Sequence, residues 1–185
     1  VFVRHGESTW NRKNLFTGWA DVPLTTKGAA EAKKAGKELK KKGYDFDIVF
    51  TNLHKRSLET VRVILAVLGL KIPVRKTWRL NERHYGALIG LNKAETAEKY
   101  GEKQVLLWRR SFDVRPPALS RSDKRYMQIL KSYPAVPKRL VPVSESLADT
   151  YDRAVPFWEK KIVPAVKKGK RVLVVASHNS LRSLV

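Results

Sequence analysis

The stretch Arg171-Val172-Leu173-Val174-Val175-Ala176 constrains this chain more than any other. Apolar at every position after Arg171 and rich in β-branched valine, it has no polar face, so it reads as a strand covered on both sides, as in parallel sheets packed between helices. It runs directly into Ser177-His178-Asn179-Ser180, with a new helix predicted from Leu181. The N-terminus repeats the arrangement. Val1-Phe2-Val3 reads as a buried strand and delivers Arg4-His5-Gly6-Glu7-Ser8. Asp47–Thr51 and Ile72–Arg75 read as two further short strands. Helices separate them. Lys27 to Lys42 places Ala32, Ala35 and Leu39 on one face, with Thr25 or Thr26 as N-cap and Gly43 at the C-terminus. Lys55 to Leu68 repeats Leu58, Val61, Leu65 and Leu68 at helical spacing before Gly69. Lys93–Gly101 and Glu102–Arg110 are also read as helices, as is Ser144–Lys168 with an interruption at Pro156 or Pro164. Ala118 to Pro142 is basic, proline-bearing and poorly periodic, and is read as an irregular excursion. The expected fold class is α/β: a three-layer sandwich with a mainly parallel sheet and helices on both faces, forming one domain over residues 1–185.

Such sheets bind ligands outside the carboxyl ends of their strands. His5, Arg56 and His178 all follow predicted strands, so the topology brings them to one crevice. Gly6 permits a tight turn whose backbone N–H groups could approach an anion, and Arg4 supplies a bidentate cation. His54, Lys55 and Arg56 open a helix where its dipole disfavours positive charge by ~0.3–1 kcal/mol. A bound anion at that end, held by Arg56 and the free N–H groups, would account for them. The long loop from Arg12 to Thr26 carries Phe16-Thr17-Gly18-Trp19. In the aperiodic, polar segment Trp78 to Gly86, Glu82 is the candidate acid or base; the competing reading pairs it with Arg83 or another arginine in a salt bridge. Arg109 and Arg110 lie where a helix C-terminus favours cations.

The net charge of +21, from 38 Lys and Arg against 17 Asp and Glu, points to anionic partners. Nucleic acid, an acidic membrane surface and small phosphorylated metabolites all fit that charge, although the lysines of the first long helix read as a solvated face. The absence of cysteine excludes disulfides, thiolate catalysis and cysteine-ligated metals. With two of its four histidines and several arginines expected in one phosphate pocket, and no Walker glycine loop, the chemistry read from the residues is phosphoryl transfer through a phosphohistidine. Arginines would neutralise the transferring group and keep a nearby imidazole neutral, without a metal. A two-histidine zinc site lacks a spaced ligand motif. A basic nucleic-acid-binding module would account for the charge but not for the clustering of His5, Glu82 and His178. No apolar run approaches the ~20 residues of a spanning helix and no signal peptide opens the chain, so a cytoplasmic location is expected. The chain starts without Met and inside a strand, so a preceding piece is expected to be missing.

Arg4-His5-Gly6-Glu7-Ser8 resembles the signature of the histidine phosphatase superfamily, whose first histidine is phosphorylated. Four longer blocks, Phe16–Trp19, Trp78–Gly86, Gly90–Thr96 and Trp108–Ser111, resemble the cofactor-dependent phosphoglycerate mutases. That resemblance implies interconversion of 2-phosphoglycerate and 3-phosphoglycerate, primed by 2,3-bisphosphoglycerate; a bisphosphoglycerate mutase or phosphatase is the nearby alternative. It assigns the phosphoryl group to His5, general acid and base work to Glu82, and stabilisation of the phosphoryl group to His178, Arg4, Arg56 and Asn11. Ser8, Thr17, Gly18, Arg83, Tyr85, Lys93, Arg109, Arg110 and Asn179 are implied to bind substrate. The family's members are commonly dimers or tetramers, so a homo-oligomer is implied. Two departures stand out. The family carries a glycine between its second histidine and the asparagine, whereas Asn179 follows His178 directly. The chain also stops at Val185 without the family's further helix, strand and tail, so that C-terminal part is expected to be missing.

Overall fold

The computed structural model describes residues 1–185. In chain order it contains β1 (Phe2–Arg4), α1 (Thr9–Arg12), α2 (Thr26–Lys41), β2 (Ile48–Thr51), α3 (Lys55–Leu68) and β3 (Val74–Lys76). These are followed by α4 (Lys93–Tyr100), α5 (Glu102–Arg110), α6 (Lys124–Ser132), α7 (Leu147–Phe157), α8 (Val163–Lys167), β4 (Val172–Ala176) and α9 (His178–Arg182). The strands form one sheet in the order β1-β4-β2-β3, every pairing parallel. Val3 lies opposite Val175, and Val49 opposite both Leu173 and Val74.

The apolar run of β4 serves both faces of this sheet. Leu173 and Val175, with Val49, pack against Leu39 of α2 and Val61 and Ile64 of α3. Val172, Val174 and Ala176, with Ile48 and Phe50, pack against Ala154 of α7, Ile162 and Leu80. All of β4 is buried, which is why no position in it can be polar. This is the sandwich expected, with helices on both faces.

Four local expectations change. β1 lies at one edge of the sheet, and Phe2 is 37% exposed, packing edge-on to Trp158. Strand propensity reports extended backbone but not position in the sheet. The strand predicted at Ile72–Arg75 is displaced to Val74–Lys76, because the pairing of Val49 with Val74 decides the register. Within the excursion from Ala118 to Pro142 there is a regular helix, α6, whose Tyr126 and Ile129 join Tyr133, Val136 and Val141 around Trp19 and Ile89. Its nine residues span only two or three turns, too few for the apolar spacing to stand out among the flanking basic residues. The last helix starts at His178 rather than Leu181, with Ser177 at its N-cap and the Leu181 N–H closing on the Ser177 carbonyl at 3.0 Å. The interruption expected in the Ser144–Lys168 helix is a π-helical turn over Trp158–Ile162, between Pro156 and Pro164. Pro164 has no N–H for the carbonyl four residues earlier, and the wider turn accommodates that loss. No helix is long and apolar enough to cross a membrane.

Candidate active site

Beyond the carboxyl ends of the strands lies a cavity of about 220 Å³. β1 brings Arg4 and His5 to it, the first turn of α3 brings Arg56, and the loop after the 3₁₀ turn Trp78–Leu80 brings Glu82. The first turn of α9 adds His178 and Asn179. The remaining walls are Asn11, Leu15, Thr17, Gly18, Tyr85, Lys93, Arg109 and Arg110.

His5 is buried, and its tautomer follows from its partners. Nδ1 lies 2.8 Å from the Gly6 carbonyl, which only accepts, so Nδ1 carries the proton. Nε2 lies 3.3 Å from Arg56 Nε, which only donates, so Nε2 presents a lone pair. Burial, with help from Arg56 and Arg4, holds the His5 pKa well below 6.5. At neutral pH this imidazole is therefore uncharged and nucleophilic at Nε2. Arg56 is itself immobilised, since Nη1 donates to the Ala20 carbonyl and Nη2 to the Gly18 carbonyl, each at 2.9 Å. The loop from Arg12 to Thr26 thus folds back over the start of α3, which explains a buried arginine at the dipole-disfavoured end of a helix.

The expected role of the Gly6 backbone is not what the structure shows. Its N–H donates to Thr60 Oγ1 at 3.2 Å and does not face the cavity. Gly6 and Gly28 instead pack backbone to backbone, and a Cβ at Gly6 would collide with the Gly28 carbonyl. Glycine here allows α2 to approach the turn that follows His5. His54 also differs from the cation expected, because complete burial and the nearby Arg56 hold its pKa well below 6.5.

Glu82 is not the salt-bridge partner of Arg83. Its Oε1 accepts from the backbone N–H groups of Arg83 at 2.8 Å and Asn179 at 3.2 Å. Its other oxygen has no hydrogen bond within the protein and is free for a ligand of the cavity. The Arg83 guanidinium turns away, donating to the Arg109 carbonyl at 3.0 Å and stacking 4.7 Å over the Tyr85 ring. Asn179 reaches the Tyr85 hydroxyl through Nδ2 at 3.2 Å, so Glu82, Tyr85 and the start of α9 form one hydrogen-bonded wall. His178 joins the cavity from an exposed position, with its pKa lowered by partial burial and by Arg4, Arg110 and Arg182, against the opposing influence of Glu82.

Thirteen of the fifteen candidate residues therefore meet in one cavity, and Ser8 and Arg83 do not line it. Ser8 is the buried N-cap of α1, and its N–H and hydroxyl both donate to Asn11 Oδ1, at 3.1 and 2.9 Å. That fixes the Asn11 amide with its NH₂ free for the cavity. Arg83 acts on the walls from behind. Leu15 lines the cavity without having been expected, since nothing in an apolar loop residue signals a ligand. Five cations, Arg4, Arg56, Lys93, Arg109 and Arg110, face a single carboxylate, Glu82. Burial, then Arg109 and Arg4, lower the Lys93 pKa, against the opposing influence of Glu82.

His5, His54 and His84 give a prediction for stability. Each is buried with a depressed pKa, that of His84 falling to about 4 through burial. Below pH 6.5 the unfolded chain takes up protons that the folded chain refuses, so unfolding is favoured. The contribution of His84 is complete above pH 6.5 and is lost as the pH falls to about 4. The urea midpoint should drop over that interval, and the drop should be smaller in His84→Gln; an unchanged pH dependence in the variant would contradict the assignment.

Comparison with known proteins places the chain. The family described as histidine phosphatase superfamily (branch 1) matches residues 1–185. The chain is 57% identical over 186 aligned positions to a 2,3-bisphosphoglycerate-dependent phosphoglycerate mutase of Treponema denticola, covering 100% of this chain and 75% of that protein. Among solved structures, a phosphoglycerate mutase from Bacillus anthracis aligns with a TM-score of 0.72 at 22% identity, over 99% of this chain and 76% of that one. A mycobacterial glucosyl-3-phosphoglycerate phosphatase aligns with a TM-score of 0.73 at 21% identity, over the same shares. Mutase and phosphatase thus share this fold, and the high identity to the Treponema protein is what separates them. The chain belongs to branch 1 of the histidine phosphatase superfamily and, within it, to the 2,3-bisphosphoglycerate-dependent phosphoglycerate mutases.

Proposed function

We propose that this chain interconverts 2-phosphoglycerate and 3-phosphoglycerate through a phosphohistidine formed at His5 Nε2, with 2,3-bisphosphoglycerate as the priming phosphoryl donor. One observation carries the reading: a neutral imidazole whose Nε2 presents its lone pair beside Arg56 and a carboxylate with a free oxygen share a cavity of five cations. In the forward half-reaction His5 Nε2 attacks phosphorus, the P–N bond forms and the P–O ester bond breaks. Glu82, carrying the proton it took from an acceptor hydroxyl in the opposite half-reaction, gives it to the departing alkoxide oxygen. In the return step Glu82 takes the proton of the acceptor hydroxyl as that oxygen attacks phosphorus and the P–N bond breaks. Arg4, Arg56 and the Asn11 amide stabilise the charge on the transferring group, with His178 beside them. Lys93, Arg109 and Arg110 are placed for the carboxylate and the second phosphate of the substrate, with Tyr85, Thr17 and Gly18 shaping the wall.

A coupled assay with and without 2,3-bisphosphoglycerate tests this. Exchange of the phosphoglycerates should depend on the bisphosphate, and mass analysis should place one phosphoryl group on His5. Release of inorganic phosphate without exchange would instead make the chain a phosphatase of the same superfamily.

A further inference from the structure

The free oxygen of Glu82 can serve the reacting hydroxyl only if its loop stays in place, yet Trp78–Gly86 has no strand or long helix to hold it. The backbone of Glu82 is held instead by two side chains that do not line the cavity. His54, at the N-cap of α3, accepts the Glu82 N–H at Nε2, 3.0 Å away. The tautomer is set from the other side: Tyr133 donates its hydroxyl to the Trp19 carbonyl at 3.1 Å, so the Tyr133 oxygen must accept from His54 Nδ1–H at 2.6 Å. A neutral, fully buried imidazole thereby becomes a fixed acceptor for one catalytic backbone group.

Arg153 of α7 holds the following peptide. It donates to the carbonyls of Arg79 at 2.7 Å, Asn81 at 3.0 Å and Glu82 at 3.1 Å. Its charge is paired with Glu145, Nε to Oε1 at 2.6 Å and Nη2 to Oε2 at 2.9 Å, with side chains 8% and 5% exposed. Glu145 Oε2 also accepts the His84 N–H at 2.8 Å. The N–H and the carbonyl of Glu82 are thus fastened to opposite helical layers, α3 and α7.

We propose that His54 and Arg153 are positioning residues that hold the Glu82 carboxylate against the reacting hydroxyl. The inference rests on the phosphoglycerate mutase reading of the site. A misplacement of about 1 Å is enough to cost about 100-fold in rate, so loss of either anchor should appear in kcat rather than in KM. His54→Leu removes the acceptor at similar volume. His54→Gln places an amide oxygen near the Nε2 position and should restore much of the loss. Arg153→Lys keeps a charge for Glu145 but cannot reach three carbonyls at once.

We expect His54→Leu and Arg153→Lys, folded by circular dichroism, to lose about 10- to 100-fold in kcat for phosphoglycerate with KM little changed. The loss should shrink for a phosphate ester whose leaving group is acidic enough to depart without a proton from Glu82. If the wild-type chain exchanges phosphoglycerates and Glu82→Gln does not, while both folded variants turn over at the wild-type rate, the inference is overturned and the mutase reading stands. Equal losses for good and poor leaving groups would also overturn it, since they mark general loosening of the fold. Absence of exchange in the wild-type chain would defeat the mutase reading itself.

Discussion

His5→Ala is expected to lower mutase turnover by about 10⁴-fold or more, the scale seen when a covalent nucleophile is removed from a site that acts as a unit. No other group in the cavity can take its place. Glu82 is an oxygen acid already holding two backbone amides, and the His178 side chain is exposed where that of His5 is buried. The measurement is twofold: steady-state exchange of phosphoglycerates, and phosphoryl label retained by the protein after exposure to 2,3-bisphosphoglycerate. Both should disappear together. A variant that loses exchange yet still carries label would transfer the nucleophilic role to another residue, with His178 the first to test. The variant should remain folded, because the backbone of His5 keeps its bond to the Ala176 carbonyl at 3.1 Å and Gly6 keeps its packing on Gly28.

Glu82→Gln is expected to lower kcat by about 10²- to 10⁴-fold, the range typical of a lost general acid or base. The substitution is nearly isosteric, and a glutamine oxygen can still accept from the Arg83 and Asn179 amides, so the loop should keep its place. What disappears is the proton. The deficit should therefore scale with the basicity of the oxygen that leaves, being large for phosphoglycerate and small for an ester of an acidic alcohol. A deficit independent of leaving group would mean that Glu82 binds rather than transfers protons. Together the two variants test the proposed division of the reaction, in which His5 is expected to supply the bond to phosphorus and Glu82 the proton for oxygen.

The charge of the chain bears on binding more than on chemistry. Only five of its 38 Lys and Arg line the cavity, and they suffice for a phosphorylated carboxylate. Many of the others, such as Lys33, Lys34, Lys37, Lys40, Lys41 and Lys42, lie exposed along or just beyond α2, as a solvated helix face would.

Much of this molecule follows from local sequence. The apolar run Val172–Ala176 needed cover on two faces, and that requirement alone dictates a parallel sheet between helices. Strand ends followed by His5, Arg56 and His178 then had to meet, because every strand of such a sheet points the same way. The limits of α3 were equally local, set by the spacing of its apolar residues and by Gly69. Tertiary structure decided what depends on partners distant along the chain. Strand propensity does not distinguish an edge from a centre, so β1 emerged at the sheet's edge only once the pairings were known. The protonation of His54 depends on burial and on Tyr133, 79 positions away, and the free oxygen of Glu82 depends on amides from its own loop and from α9. Arg153 sits in the middle of α7 with nothing in its neighbours to mark it, yet it reaches carbonyls more than 70 positions away. Residue type and spacing determined which groups arrive at the crevice; which atoms of those groups remain free was settled by hydrogen bonds between distant segments, and those exist only once the chain has folded.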